Sequence, residues 1–391
     1  MRLTIRHFRV SPDDLADGLN SASLISKIAE RTGASVSVQI VYPGEPVILA
    51  DVLDVFPARA GRVGPPWSGS GHDEIPEVID DLQDVVVTMV GRFPGATPCV
   101  LPLQDSWAPL AARVHVVVRM SPLGGEQDWS VKEVVAQWIH EWVSQLVKDA
   151  QPERVEGFLW GPPVAGELPR VVYVYQVQSQ GPMRRTYLNG SACDGRSPMV
   201  ISPLAVLGGA IISGNYVLCG QRNATIFHAE NPVIRELLQN HARTLDFRAV
   251  ILTTAASSEA DKHTIADQVA QLALQLHAEG AIVTKEGGGN TTVDLMLTLD
   301  ALERAGVRTV GVVNEMAGSH GDQAPLIMQM ATVNALVSTG NVDQVVALPQ
   351  GAQIIGGIGV PQILESASIE LAKVHGSTNL LGMAHGGCRD A

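Results

Sequence analysis

Charge is scarce in this chain, and so is cysteine. Of its 391 residues only 17% are charged while 46% are hydrophobic, a balance that excludes a disordered, self-repelling polymer and requires extensive burial. The length suits two domains, each with its own core. The charge that exists is mainly acidic, with a formal net charge of -13. The clustered Lys and Arg that displace counterions from a polyphosphate are therefore missing, and nucleic-acid binding is excluded as a function class. The four cysteines, Cys99, Cys193, Cys219 and Cys388, lie far apart with no CxxC pair. That spacing fits neither a disulfide framework nor a zinc site, so no metal-ligating set is expected and the chemistry of individual thiols is the question left open. No apolar run approaches the roughly 20 residues a membrane-spanning helix needs. The opening MRLTIRHFRV alternates apolar with basic residues instead of forming the continuous apolar core of a signal peptide, so the expected location is the cytoplasm. Neither GxGxxG nor GxxxxGK[ST] occurs, and no internal repeat is detectable.

What is present is concentrated between Ile201 and Leu238, in ISPLAVLGGAIISGNYVLCGQRNATIFHAENPVIRELL. Four glycines (Gly208, Gly209, Gly214, Gly220) surround an apolar run, followed by Cys219 and the polar set Gln221, Arg222, Asn223, Thr225 and His228. Glycine is used where backbone takes a positive φ or another group comes close, so this stretch reads as a prepared backbone site around a thiol. The plainer alternative is a buried β-turn-β with a core cysteine.

The N-terminal region, residues 1–240, reads as strand-rich α/β. LTIRHFRV and ASVSVQIVYPGEPVIL alternate at period two, the second being interrupted by Pro43-Gly44 in a hairpin-like arrangement. Between them Ser11 before Pro12 opens a helical segment that Gly33 stops. ARAGRVGPPWSGSGHDEIP is a surface loop in which His72 is solvated. DVVVTMVGRF and RVHVVVRM are buried strands. A capping box, Ser130 with Glu133, opens a helix whose stripe of Val134, Trp138, Trp142 and Leu146 packs in the core and leaves His140 aside. RVVYVYQVQSQG is another strand, and turns at Asn189-Gly190 and Asp194-Gly195 flank Cys193.

From residue 241 to 391 the pattern becomes a regular alternation. FRAVILTT, AIVTKE and RTVGVVNEMAG are strands; DKHTIADQVAQLALQLHAEG and GGGNTTVDLMLTLDALERAG are helices ending at Gly280 and Gly306; ALVSTG and QVVALP are short strands. Such alternation requires right-handed crossovers and a mainly parallel sheet. The expected fold is therefore α/β: a strand-rich N-terminal α/β region ending in the cysteine loop, followed by a doubly wound, mainly parallel sheet domain. Sheets of this kind bind ligands beyond the carboxyl ends of their strands. There the candidate substrate-binding residues are Glu286, Asn290, Glu315, Thr339 and Asn341. Two carboxylates beside Gly287–Gly289 disfavour an anion and suit an amine. The alternative is that Glu286 and Glu315 merely cap helices and face water.

The blocks PRVVYVYQVQSQGPMRRTYLNG, GGAIISGNYVLCGQRNATIFHAENPVIRELL, KEGGGNTTVDLMLTLDALERAGVRTVGVVNEMAGSHGDQ and ALVSTGNVDQVVALP resemble the component B proprotein of the glycine, sarcosine and betaine reductases. More distantly they are similar to the D-proline reductase proprotein. The resemblance runs from Met1 to about Gly356. It implies a proprotein that cleaves itself at an internal cysteine, which becomes a pyruvoyl group able to take up a substrate amine as a Schiff base. It also implies a partner subunit carrying a thiol or selenol that displaces the amine.

Carried over by position, the resemblance makes Cys219 the source of the pyruvoyl group and Leu218-Cys219 the scissile bond. Asn215, Asn223, Thr225 and His228 are then the neighbouring catalytic candidates that orient a carbonyl and move protons. One departure stands out: the family's cysteine lies three residues before the asparagine matching Asn223, where this chain has Gly220. Cys193 is the competing thiol. Two readings follow, an amine-cleaving reductase subunit working only with its partner, and an uncleaved structural or ligand-binding subunit of a related complex.

Overall fold

The computed structural model describes residues 1–61, 75–92, 95–96, 98–104, 108–121, 128–162, 164, 166–181, 183–217, 219–356 and 368–381. The loop around His72, Leu218 of the expected scissile bond and Cys388 lie outside them. The chain is mixed α/β. Its first large sheet has the order Ser35–Val41, Val114–Ser121, Val78–Gly91, Arg2–Phe8, Arg154–Leu159, with Val52–Gly61 paired antiparallel to Val78–Gly91. Helices Ser21–Thr32 and Asp128–Leu146 cover one face, where Val134, Trp138 and Trp142 pack with Phe8, Leu24, Ile28 and Val87. The tryptophan stripe is core, as its spacing predicts. The helix itself begins before Ser130, so that residue is not its cap.

The second sheet has the order Met199–Ile201, Asp246–Thr254, Arg170–Val177, Gly280–Lys285, Arg308–Glu315, Leu336–Asn341. All neighbours are parallel except the short first strand. Helices Glu259–Gln275 and Asn290–Arg304 lie on one face against Val172, Val174 and Val283. The other face, with Tyr173, Tyr175 and Val177, packs against Leu204, Leu207, Ile234 and Leu237 and also against Leu3, Ile5, Ile79 and Phe158 of the first sheet. Thus the strand between Asp246–Thr254 and Gly280–Lys285 comes from residues 170–177, well before residue 241, and the two sheets share a core.

Two local expectations are corrected. Ser35–Val41 and Val47–Ala50 do not form a hairpin: the first pairs with Val114–Ser121, the second with Val100–Pro102 and Gln353–Gly356 in a separate small sheet. The turn at Gly44 carries the chain out of one sheet and into another, which period-two alternation cannot reveal. The helix expected to run to Gly280 ends at Gln275, and Gly280 begins the next strand.

Candidate functional site

The site is built where the cysteine loop meets the carboxyl end of Gly280–Lys285. Alternation along that strand sends Lys285 to one face and Glu286 to the other. Glu286 is only 1% exposed. Its Oε2 accepts the N–H of Gln178 and its Oε1 the N–H of Asn223, each at 2.8 Å. Burial nevertheless raises its pKa to about 7, because two backbone donors only partly replace lost hydration. The residue is therefore no water-facing cap, and it can hold or release a proton near neutrality.

Above it stands a buried relay. His228 Nδ1 is 2.5 Å from the Tyr175 hydroxyl, which also accepts from Asn223 Nδ2 at 3.1 Å. The phenol and Nδ1 share one hydrogen bond; in the tautomer where the phenol donates it, the imidazole carries its own proton on Nε2. Among the described residues that atom has no hydrogen-bond partner, and it lies 3.9 Å from Glu286 Oε1. Burial lowers the His228 pKa to about 3 and raises that of Tyr175 well above its usual range, so both groups are neutral.

The loop is fixed from below. Asp54, fully buried, accepts from Thr225 N at 2.9 Å, Thr225 Oγ1 at 2.7 Å and Lys132 Nζ at 2.6 Å. Thr225 thereby starts the short helix Thr225–Ala229 that presents His228. Asn215 Nδ2 donates to Gln178 Oε1 at 3.0 Å, and its Oδ1 accepts from Val217 N at 3.1 Å. Asn215 O in turn accepts from Arg222. All four polar candidates from the sequence therefore organise one loop, and Asn223 joins it to Glu286.

Cys219 is fully buried at the start of a single 3-10 turn, Cys219–Gln221. Its Sγ faces Ala372 O at 3.2 Å and Pro98 O at 3.8 Å. Gly220 O accepts Thr378 N at 2.7 Å and Thr378 Oγ1 at 3.0 Å, and a Cβ on Gly220 would run into Leu371 O. No cysteine fits at 220 in this packing, so Cys219 is the thiol the turn can hold. Cys193 is also buried, and burial pushes its thiol up to about 11.

The remaining strand-end candidates are spread out. Asn290 is exposed on the first turn of its helix. Glu315 is half-buried, and its carbonyl accepts Val342 N at 3.0 Å. Asn341 ties a loop together, accepting from Ala317 N at 3.0 Å and Asp343 N at 3.1 Å. Thr339 Oγ1 donates to Thr378 O at 2.8 Å, touching the same C-terminal segment that grips Gly220. Among these five residues, only Glu286 hydrogen-bonds the cysteine loop.

Residues that sequence reasoning did not single out are Tyr175, Gln178, Asp54, Lys132, Cys99 and Lys285. Lys285 is 7% exposed, donates to Gly287 O and to Asn314 Oδ1 at 2.7 Å, and is brought by burial to about 7. A lysine directly beside Glu286 at a strand end was its only signal.

A mixed α/β chain with a buried carboxylate and a glycine-rich cysteine loop at a parallel-sheet edge is the setting of a small-molecule enzyme site. The family of glycine/sarcosine/betaine reductase component B subunits matches residues 18–382, and the chain belongs to that family. It is 29% identical to the glycine reductase complex component B subunits alpha and beta of Peptoclostridium acidaminophilum, over 90% of this chain and 88% of that protein. It is 36% identical to the betaine reductase complex component B subunit alpha of the same organism, over 55% of this chain and 50% of the relative. A shorter match, 25% identical over 30% of this chain and 18% of the relative, is to the D-proline reductase proprotein of Acetoanaerobium sticklandii. No solved structure matches. The family makes this chain a subunit of a multi-subunit oxidoreductase of amino-acid metabolism. No helix among the described residues is long and apolar enough to cross a membrane.

Proposed function

We propose that the chain is the substrate-binding subunit of a reductive amine-cleaving complex, and that Cys219 is the residue from which a pyruvoyl group is made. The observation that carries this reading is the Asn223 N–H on Glu286 Oε1 at 2.8 Å, which makes the cysteine loop and the candidate amine-binding acid one site. The residues present fit such a group: a tight turn holds Cys219, and the buried Gln221 Oε1, Asn223 Oδ1 and His228 Nε2 lack partners among the described residues. The group would supply an electrophilic ketone. The chain's own residues do the rest: Asn215 and Asn223 hold the loop, Glu286 takes or gives a proton, and neutral His228 is the donor aimed at it.

The C-terminal sheet is read as doubly wound. Its support is that Arg170–Val177 leads on to the face of Leu204 and Ile234, while Gly280–Lys285 leads to the helix on the opposite face. Glu286 and Gln178 then stand at the switch between these two strands, where such sheets bind ligands. The substrate is a small amine or amino acid, Asn290, Glu315, Thr339 and Asn341 form the outer part of its approach, and a cytoplasmic thiol- or selenol-bearing subunit completes the reaction.

Intact mass tests the reading. Cleavage before Cys219 divides the chain into residues 1–218 and 219–391, with a hydrazine-reactive carbonyl on the second piece. Cys219→Ala abolishes cleavage and Cys193→Ala does not. A wild-type chain of full length without a reactive carbonyl removes the pyruvoyl mechanism.

A further inference from the structure

Cys99 was not among the sequence candidates, yet it lies beside Cys219. The Cys219 Sγ is 3.8 Å from the carbonyl oxygen of Pro98, the residue joined to Cys99. Both thiols are buried in one apolar cluster with Val52, Val55, Leu101 and Phe227. Burial raises both; the influence of each thiol on the other pushes Cys99 further up and, with the Arg222 guanidinium, brings Cys219 below the usual thiol range. Arg222 is 1% exposed, and its Nη2 lies 3.9 Å from Cys99 Sγ. Among the described residues it has no carboxylate partner: it donates to Asn215 O and to Val52 O, and its Nε is unpartnered. A buried cation favours negative charge beside it; it already lowers the pKa of Glu286, and a thiolate is the other group placed to provide such charge.

We infer that Cys99 and Cys219 are an oxidisable dithiol pair, with Arg222 as its fixed counter-cation, that closes to an intramolecular disulfide under a small peroxide. The Cys219 thiolate attacks one peroxide oxygen, the O–O bond breaks, and Cys219 becomes a sulfenic acid as hydroxide leaves. The Cys99 sulfur then attacks that sulfur, forming S–S and releasing the oxygen as water. Two thiols lose two electrons and two protons, and hydrogen peroxide becomes two waters. Both cysteines lie outside regular strands and long helices, Cys99 just before Val100–Pro102 and Cys219 in its 3-10 turn. Resting on the pyruvoyl reading, the consequence is that oxidation removes the sulfur needed for processing and keeps the chain whole.

The test treats reduced full-length protein with hydrogen peroxide, then denatures, alkylates and proteolyses it for mass spectrometry. The expected product joins the Cys99 and Cys219 peptides, lighter by two hydrogens and split by dithiothreitol, while Cys193 remains alkylated. Cys99→Ser abolishes it, and Arg222→Gln slows its formation about tenfold, with Arg222→Lys closer to wild type. Full alkylation of both thiols after oxidation overturns the inference, as does preferential pairing of Cys219 with Cys193 or Cys388. So does complete cleavage before Cys219 in protein synthesised under peroxide, since the pair would then have failed to keep the chain whole. Failure of the pyruvoyl reading shows differently, as a whole chain without a carbonyl, and leaves the cross-link measurable.

Discussion

Two buried lysines of this protein are held in opposite ways. Lys132, beneath the cysteine loop, reaches a fully buried carboxylate, Asp54, at 2.6 Å, and that carboxylate also takes two hydrogen bonds from Thr225. Lys285, at the strand end, reaches a backbone carbonyl and an amide oxygen, and burial brings it to about 7. Among the described residues Arg222, like Lys285, has no carboxylate within bonding distance. The foundation of the loop is thus electrostatically closed, and its upper side, where Glu286 and Lys285 sit, is left poised. Closed pairs hold position, whereas groups near their titration point exchange protons at little cost.

The largest way to break this comparison is to open the closed pair. Lys132→Ala leaves Asp54 charged and buried without its cation, and is expected to cost about 3–5 kcal/mol in chemical denaturation, with loss of the Thr225 helix. A loss under about 1 kcal/mol would mean that the Thr225 bonds alone hold the loop.

The poised side is sharpened by pH. Glu286 is raised from 4.5 to about 7, so between those values the folded protein binds the extra proton and stability falls as pH rises, by about 3 kcal/mol in all. Lys285 is lowered from 10.5 to about 7, so above pH 7 the unfolded chain binds the extra proton and stability climbs again. Denaturation across this range is expected to show a minimum near pH 7. Glu286→Gln removes the descending limb, and Lys285→Met removes the ascending one.

Ligand binding separates the two strand-end acids. Glu286→Gln is expected to weaken amine binding by about 1–2 kcal/mol by calorimetry, the scale of a charge-assisted hydrogen bond. Glu315→Gln is expected to have the smaller effect, since no side-chain bond joins Glu315 to the loop. Equal effects would place both acids on the amine.

Much of this was legible in the chain. Gly33 and Gly306 stop their helices, Ser11 caps its own, and the strand at Gly280–Lys285 follows from an apolar run between glycines. The glycine-rich thiol loop and Glu286 were visible separately, from residue type and from position at a strand end. Their meeting was not visible, since Asn223 and Glu286 are 63 residues apart and are joined by a backbone N–H that carries no residue signature. Tyr175 was hidden for a different reason: in VVYVYQV it reads as an ordinary strand residue, and only the packing of His228 against it makes its hydroxyl part of a relay.

The sequence by itself determined the local elements, the family resemblance and the chemical types available, because periodicity, turn residues and side-chain chemistry act over short stretches. Tertiary structure alone decided that Arg170–Val177 stands between two strands from beyond residue 241. It alone put Cys99 beside Cys219, and it alone made Glu286 and Lys285 titrate near neutrality. The reason is common to all three: strand order, thiol proximity and desolvation depend on which distant segments exclude water together, and no local pattern records that.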